Sequence, residues 1–128
     1  MMSEFYLVIS GTRTFNDYEF FKEKCDYCLA NHKNDEIHII EGEAAGADTL
    51  AKRYAEERGY ILHPFPADWN KYGKAAGPKR NKKMHEFAAE HYPRGCICFW
   101  DGASPGTNNS MQLAQQFHTP LKVYIPEK

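Results

Sequence analysis

The sequence predicts an α/β domain with a mainly parallel sheet, and three observations lead there. Short apolar runs alternate with longer amphipathic segments along all 128 residues. Most of these runs are nearly continuous rather than alternating, as strands covered on both faces are. The residues of unusual chemistry follow the runs directly, where such sheets place their ligand loops.

The elements read as follows. "FYLVIS" (Phe5–Ser10) is a buried strand that stops at Gly11. From about Asp17 to Asn31, Phe20, Phe21, Tyr27 and Leu29 suit an amphipathic helix capped by Asn16 or Asp17. "EIHII" (Glu36–Ile40) is the second strand, and a helix from about Asp48 to Arg58 stops at Gly59. "YILHPF" (Tyr60–Phe65) is the third strand, with a helix from Pro78 to about His91 after it. "GCICFW" (Gly95–Trp100) is the fourth, followed by a helix from near Thr107 to about His118. "LKVYI" (Leu121–Ile125) is the fifth. Right-handed crossovers favour a Rossmann-like, doubly wound sheet of five strands with helices on both faces, residues 1–128 forming one domain.

Composition narrows the functional classes. The apolar fraction of 42% and charged fraction of 26% are those of a globular protein in water. No apolar run approaches the ~20 residues of a membrane span, and "MMSEFYLVIS" does not read as a signal peptide. A net charge of −1 argues against general nucleic-acid coating. The four cysteines, Cys25, Cys28, Cys96 and Cys98, lie within a helix and a strand rather than in turns, so buried free thiols fit better than zinc. With no export signal they point to a reducing cytoplasm. The six histidines show no ligand spacing, so no resident metal is expected.

Four loops follow strand ends: Ser10–Arg13, Glu41–Asp48, Ala67–Gly77 and Asp101–Asn109. The last is the best anion cradle. Gly102 and Gly106 let the backbone approach a ligand, Ser104 and Thr107 offer hydroxyls, and a helix N-terminus follows. Thr107 can equally serve as that helix's cap. Trp69 reads as a stacking platform for a base or as a loop cover. Asp48 and Asp101 read as ribose, Mg²⁺ or acid–base groups, or as a helix cap and a loop tie.

The stretch "FPADWNKYGKAAGPKRNKKM" (65–84) carries six cations and, after Trp69, no acid. On a helix from Pro78, Arg80 shares a face with Met84, Phe87 and Ala88 and lies one turn nearer the N-terminus. That aims its guanidinium at the carboxyl-end cleft, with Lys82 opposite in solvent and Asn81 flanking. A cation there opposes the helix dipole, so a ligand phosphate is the expected partner. The unliganded protein is then expected to be strained, and Arg80→Ala to leave its stability unchanged or raised.

"GTR", "EGEAAGAD", the 65–84 stretch and "FWDGASPGTNNSMQLA" together resemble the YspA and cpYpsA-related branch of the SLOG superfamily, over nearly the whole chain. That superfamily also contains the LOG enzymes and the DNA-processing protein DprA. The resemblance implies a Rossmann-like fold and a site for a nucleotide derivative, an ADP-ribose-like molecule or a nucleoside phosphate. It implies that Gly102, Ser104, Gly106 and Thr107 hold phosphate, with Gly11, Arg13, Gly42, Asp48, Arg80 and Asn81 lining the site; Thr12, Trp69 and Asp101 join them as candidates from the reading of the loops. Mg²⁺ would enter only with the nucleotide, and a homo-oligomer is left open. LOG enzymes cleave N-glycosidic bonds with P-G-G-x-G-T-x-x-E, whereas Ser110 stands at the glutamate position here. A hydroxyl cannot do the work of that carboxylate. Binding or sensing therefore leads, with phosphoribohydrolase activity and single-stranded DNA binding as alternatives, and no catalytic residue is assigned.

Overall fold

The computed structural model describes residues 3–126. Five strands, β1 (Glu4–Gly11), β2 (Glu36–Glu41), β3 (Ile61–Pro64), β4 (Arg94–Phe99) and β5 (Leu121–Tyr124), form one sheet in the order β3-β2-β1-β4-β5. Every pairing is parallel. The chain winds outward from β1 through β2 to β3, then returns across the sheet to start β4 beside β1. Strand order therefore reverses between β1 and β4, the place where sheets of this type open a ligand crevice.

Side-chain alternation along β1 divides the core in two. Phe5, Leu7 and Ile9 point to the face covered by helices α1 (Tyr18–Cys28) and α2 (Ala47–Arg58), against Phe21, Cys25, Ala51 and Tyr54. Tyr6 and Val8 point to the other face, against Met84 and Ala88 of α4 (Ala76–Ala89) and Ala114 of α5 (Pro105–Gln116). Complete burial of each Leu or Ile stabilises the fold by about 1.5–3 kcal/mol. The cysteines divide the same way, Cys25 in the first core and Cys96 and Cys98 in the second, so the four thiols cannot gather on one ion.

Several boundaries differ from the sequence expectation. Helix α1 ends at Cys28 and a 3-10 turn, Ala30–His32, replaces its last turn; Asp17 caps it by accepting from the Phe20 N–H at 3.1 Å. Helix α5 starts at Pro105 with Ser104 at its cap position, so Thr107 is not the cap. The largest difference lies in the basic stretch. Asp68 caps a short helix, α3 (Trp69–Tyr72), which runs through a 3-10 turn at Gly73–Ala75 into α4. Pro78 is thus the third residue of α4 rather than its first, a position whose N–H has no helical partner in any case. Arg80 consequently sits in the second turn.

The histidines are less scattered than their spacing suggests. His38 stacks on Tyr6, as does His91 on that ring, and His38 Nδ1 lies 2.9 Å from His63 Nε2. His38 Nε2 also meets Glu4 and Glu36 at 3.0 and 2.9 Å, and among the described residues this is a group whose donor atoms lie close enough to share an ion. It occupies the amino ends of β1 and β2, away from the loops that follow the strands.

Candidate functional site

All four loops meet at the carboxyl end of the sheet around one pocket of about 580 Å³. Its walls are the end of β1, the N-terminal regions of α2, α4 and α5, and Trp69. Of the residues expected from sequence, Gly11, Thr12, Arg13, Asp48, Trp69, Arg80, Asn81, Asp101, Ser104, Gly106 and Thr107 line it. Gly42 and Gly102 do not; the first supports the wall from behind, and the second turns the β4–α5 loop with a φ of 85°.

Gly42 is glycine for a steric reason. A Cβ there would lie 2.6 Å from Arg80 Nη1, so the guanidinium fills the space a side chain would take. Arg80 Nη1 donates to the Gly42 carbonyl and Nε donates to Asn81 Oδ1 at 2.8 Å. Burial lowers the Arg80 pKa, while the nearby Asp48 charge supports the cation. The protein's own groups therefore supply Arg80 with acceptors and a counter-charge. That corrects the expectation of an unrelieved like-charge strain, which followed from placing the helix start too late.

Asp48 lies within the first turn of α2, whose cap position is Gly46, so it is not an N-cap. Its Oδ2 accepts from the Gly42 and Ala44 N–H groups at 3.1 and 3.2 Å, which shapes the β2–α2 loop. Burial pushes its carboxyl up to about 6 against the pull of those donors and of Arg80 and Arg13. Beneath the same loop, Glu41 is fully buried; Oε1 accepts from the Glu43 N–H, Oε2 has no hydrogen-bond partner among the described residues, and burial raises its pKa to about 7.

On the β4 side, Asp101 ties down its own loop. Its Oδ1 accepts from the Ala103 and Ser104 N–H groups at 2.9 and 2.7 Å, and these bonds hold its pKa below the usual value. Thr12 Oγ1 accepts from the Asp101 N–H, and Trp100 Nε1 donates to the Ser104 carbonyl. Ser104 makes no side-chain capping bond to α5, which leaves that helix's first turn open towards the pocket. Asn81 is buried rather than flanking: its Nδ2 donates to the Gly106 carbonyl and to Asn109 Oδ1, joining α4 to α5.

Two exposed groups form the rim. The Arg13 guanidinium lies 5.7 Å from the Trp69 ring centroid, and that ring is 49% exposed. Lys74 also reaches the pocket, whereas Lys82 and Lys83 point to solvent. Sequence reasoning missed Ser10, Lys74 and Asn109 as lining residues. The basic run was a signal for Lys74, and Ser10 and Asn109 stand at the ends of two of the loops that follow the strands.

Ser110 is enclosed behind the pocket, bonded to Ser10 Oγ and His85 Nε2, each at 2.8 Å. It belongs to the wall and does not line the cavity.

Comparison with known proteins adds the following. The model of the YspA, cpYpsA-related SLOG family matches residues 5–72, from β1 through α3. The gene 61 protein of Mycobacterium phage D29 is 34% identical over 99 residues, covering 68% of this chain and 76% of that protein. The X-ray structure of TM1055, a structural-genomics target, superposes with a TM-score of 0.59 at 14% identity, over 94% of this chain and 72% of that one. This last likeness concerns the fold alone.

Proposed function

Because the chain belongs to the YspA, cpYpsA-related SLOG family, we propose that its carboxyl-end pocket binds a nucleotide derivative, a nucleoside phosphate or an ADP-ribose-like molecule. The observation that carries this reading is the convergence of Arg13, Arg80 and the uncapped N-terminus of α5 on one cavity. Two guanidiniums and a turn of backbone N–H donors suit a phosphate or pyrophosphate. Trp69, half exposed beside Arg13, offers a face for a base.

N-glycosidic hydrolysis has one observation in its favour. Asp48 lines the pocket with a carboxyl pushed up to about 6, inside the range of a working acid or base. Ser110, at the position of the LOG glutamate, is buried behind the wall and carries no such role. Binding therefore stands first.

Calorimetric titration with AMP, ADP-ribose and adenosine tests the reading. Both phosphate-bearing ligands should bind, adenosine more weakly. Failure of all three to bind, or equal affinity for AMP and adenosine, would overturn it. Chromatography of the AMP mixture after long incubation would reveal any free adenine.

A further inference from the structure

Positions 10, 85 and 110 are far apart in sequence and form one buried chain of hydrogen bonds. Ser10 is the last inward residue of β1 on the α4–α5 face; it is 7% exposed and lines the pocket. Its Oγ lies 2.8 Å from Ser110 Oγ on α5, which lies 2.8 Å from His85 Nε2 on α4. Both Ser110 and His85 are fully enclosed, and His85 Nδ1 has no hydrogen-bond partner among the described residues. The chain thus begins at a sealed imidazole and ends at Ser10, a residue that lines the candidate pocket.

Two proton arrangements are available. If Ser110 donates to Nε2, the proton of His85 sits on Nδ1, a buried N–H with no acceptor. If Nε2 carries the proton, the orphan is instead a bare lone pair. Orphaned buried N–H groups are rarer in folded proteins than under-used acceptors, so the second arrangement is favoured. It sets a direction: Nε2–H donates to Ser110, Ser110 donates to Ser10, and the Ser10 proton is left for the pocket. The opposite direction would offer the pocket only oxygen lone pairs, which repel an anion. Among the described residues no carboxylate is hydrogen-bonded to His85 Nδ1 to stabilise an imidazolium, so the chain is not built to draw a proton from Ser10.

We propose that Ser10 is an anion-contacting donor of this pocket and that His85, acting through Ser110, is the positioning residue that points its proton at the ligand. This rests on the nucleotide-phosphate reading of the same pocket and adds a contact to it.

The test uses the full chain with AMP and adenosine as probes. Ser10→Ala should weaken AMP binding about tenfold, the loss of one hydrogen bond to a charged acceptor, and leave adenosine nearly unchanged. His85→Leu should cost AMP binding a similar factor, and the double variant no more than either single change. His85→Gln, which returns an N–H donor near the Nε2 position, should restore most of the affinity. Nitrogen-15 spectroscopy of the wild-type protein reads the tautomer directly and needs no variant to fold; Nε2 should be protonated. A proton on Nδ1, AMP affinity unchanged in Ser10→Ala, or additive losses in the double variant would each overturn the proposal while leaving the pocket's reading intact. If wild-type protein binds neither AMP nor ADP-ribose, the pocket's reading fails and this contact fails with it.

Discussion

The Arg80 guanidinium stands where a side chain on Gly42 would be, and it donates to the carbonyl of that same residue. Position 42 therefore has no side chain so that position 80 can carry a long one. The pair joins the β2–α2 loop to α4 through the protein's own groups alone.

Arg80→Ala should accordingly lower the stability of the unliganded protein by about 1–3 kcal/mol, since it removes bonds to Gly42 and Asn81 and a counter-charge from Asp48. Nucleotide affinity should fall by roughly ten- to a hundredfold. Arg80→Lys should rescue neither fully, because an ammonium cannot reproduce the fork. Lys82→Ala, exposed on the far side of α4, should change both by less than ~0.5 kcal/mol. Urea melts and calorimetry of the four proteins would decide this. An Arg80→Ala protein as stable as wild type would show that the Gly42 contact contributes nothing.

Gly42→Ala tests the other partner. The added methyl would lie 2.6 Å from Arg80 Nη1, so the guanidinium must leave its place. A cost of about 1–3 kcal/mol is expected, typical of a crowded site. In an Arg80→Ala background the same change should be nearly free. Equal costs in both backgrounds, read from a double-mutant cycle, would mean the alanine acts on the backbone alone.

Stability should bend with pH in opposite directions for two buried groups. His85 stays neutral in the folded protein down to about 4, whereas an unfolded histidine takes up its proton near ~6.5. The unfolded chain then binds more protons, so stability falls as pH drops from about 6.5 towards 4. Glu41 keeps its proton in the folded state up to about 7, so here stability falls as pH rises from about 4.5 to 7. Each effect reaches up to about 2–3 kcal/mol. Glu41→Gln should shrink the alkaline decline to the part that Asp48, raised to about 6, contributes, and leave the acid decline, as measured by urea unfolding at pH 5, 6.5 and 8. An unchanged profile would place the Glu41 titration elsewhere.

Asp48→Asn separates binding from chemistry. The amide oxygen can still accept from the Gly42 and Ala44 N–H groups, while the negative charge opposing a phosphate is gone. AMP affinity relative to wild type should rise roughly two- to tenfold at pH 8, where Asp48 is ionised. The advantage should vanish near pH 5, where both side chains are neutral. Loss of affinity at pH 8 would instead mean that the carboxylate itself touches the ligand.

The strands and the clustering of glycines and hydroxyls after them were legible, because a parallel sheet covered on both faces leaves long apolar runs and puts its ligand loops at one end. Eleven of the thirteen residues expected at the site line the pocket, and Gly42 and Gly102 fall outside for different reasons. Gly42 marks a close approach made by Arg80 rather than by a ligand, and glycine looks the same in either case. The early start of α4 was hidden because Trp69–Tyr72 is too short to show a helical period and Pro78 reads as a first residue. The Ser10–Ser110–His85 chain was hidden more deeply. It depends on which strand lies between which helices, and no local pattern records that.

Asn81 divides its side chain between two helices: its oxygen takes the Arg80 Nε–H, and its amide group reaches Gly106 and Asn109. The beginning of α4 and the beginning of α5 therefore cannot fray separately. Opening either one breaks the same amide's bonds, so the two turns should exchange their backbone hydrogens with solvent as a single unit. A phosphate held between them would slow both together, including the α5 turn that no side chain caps.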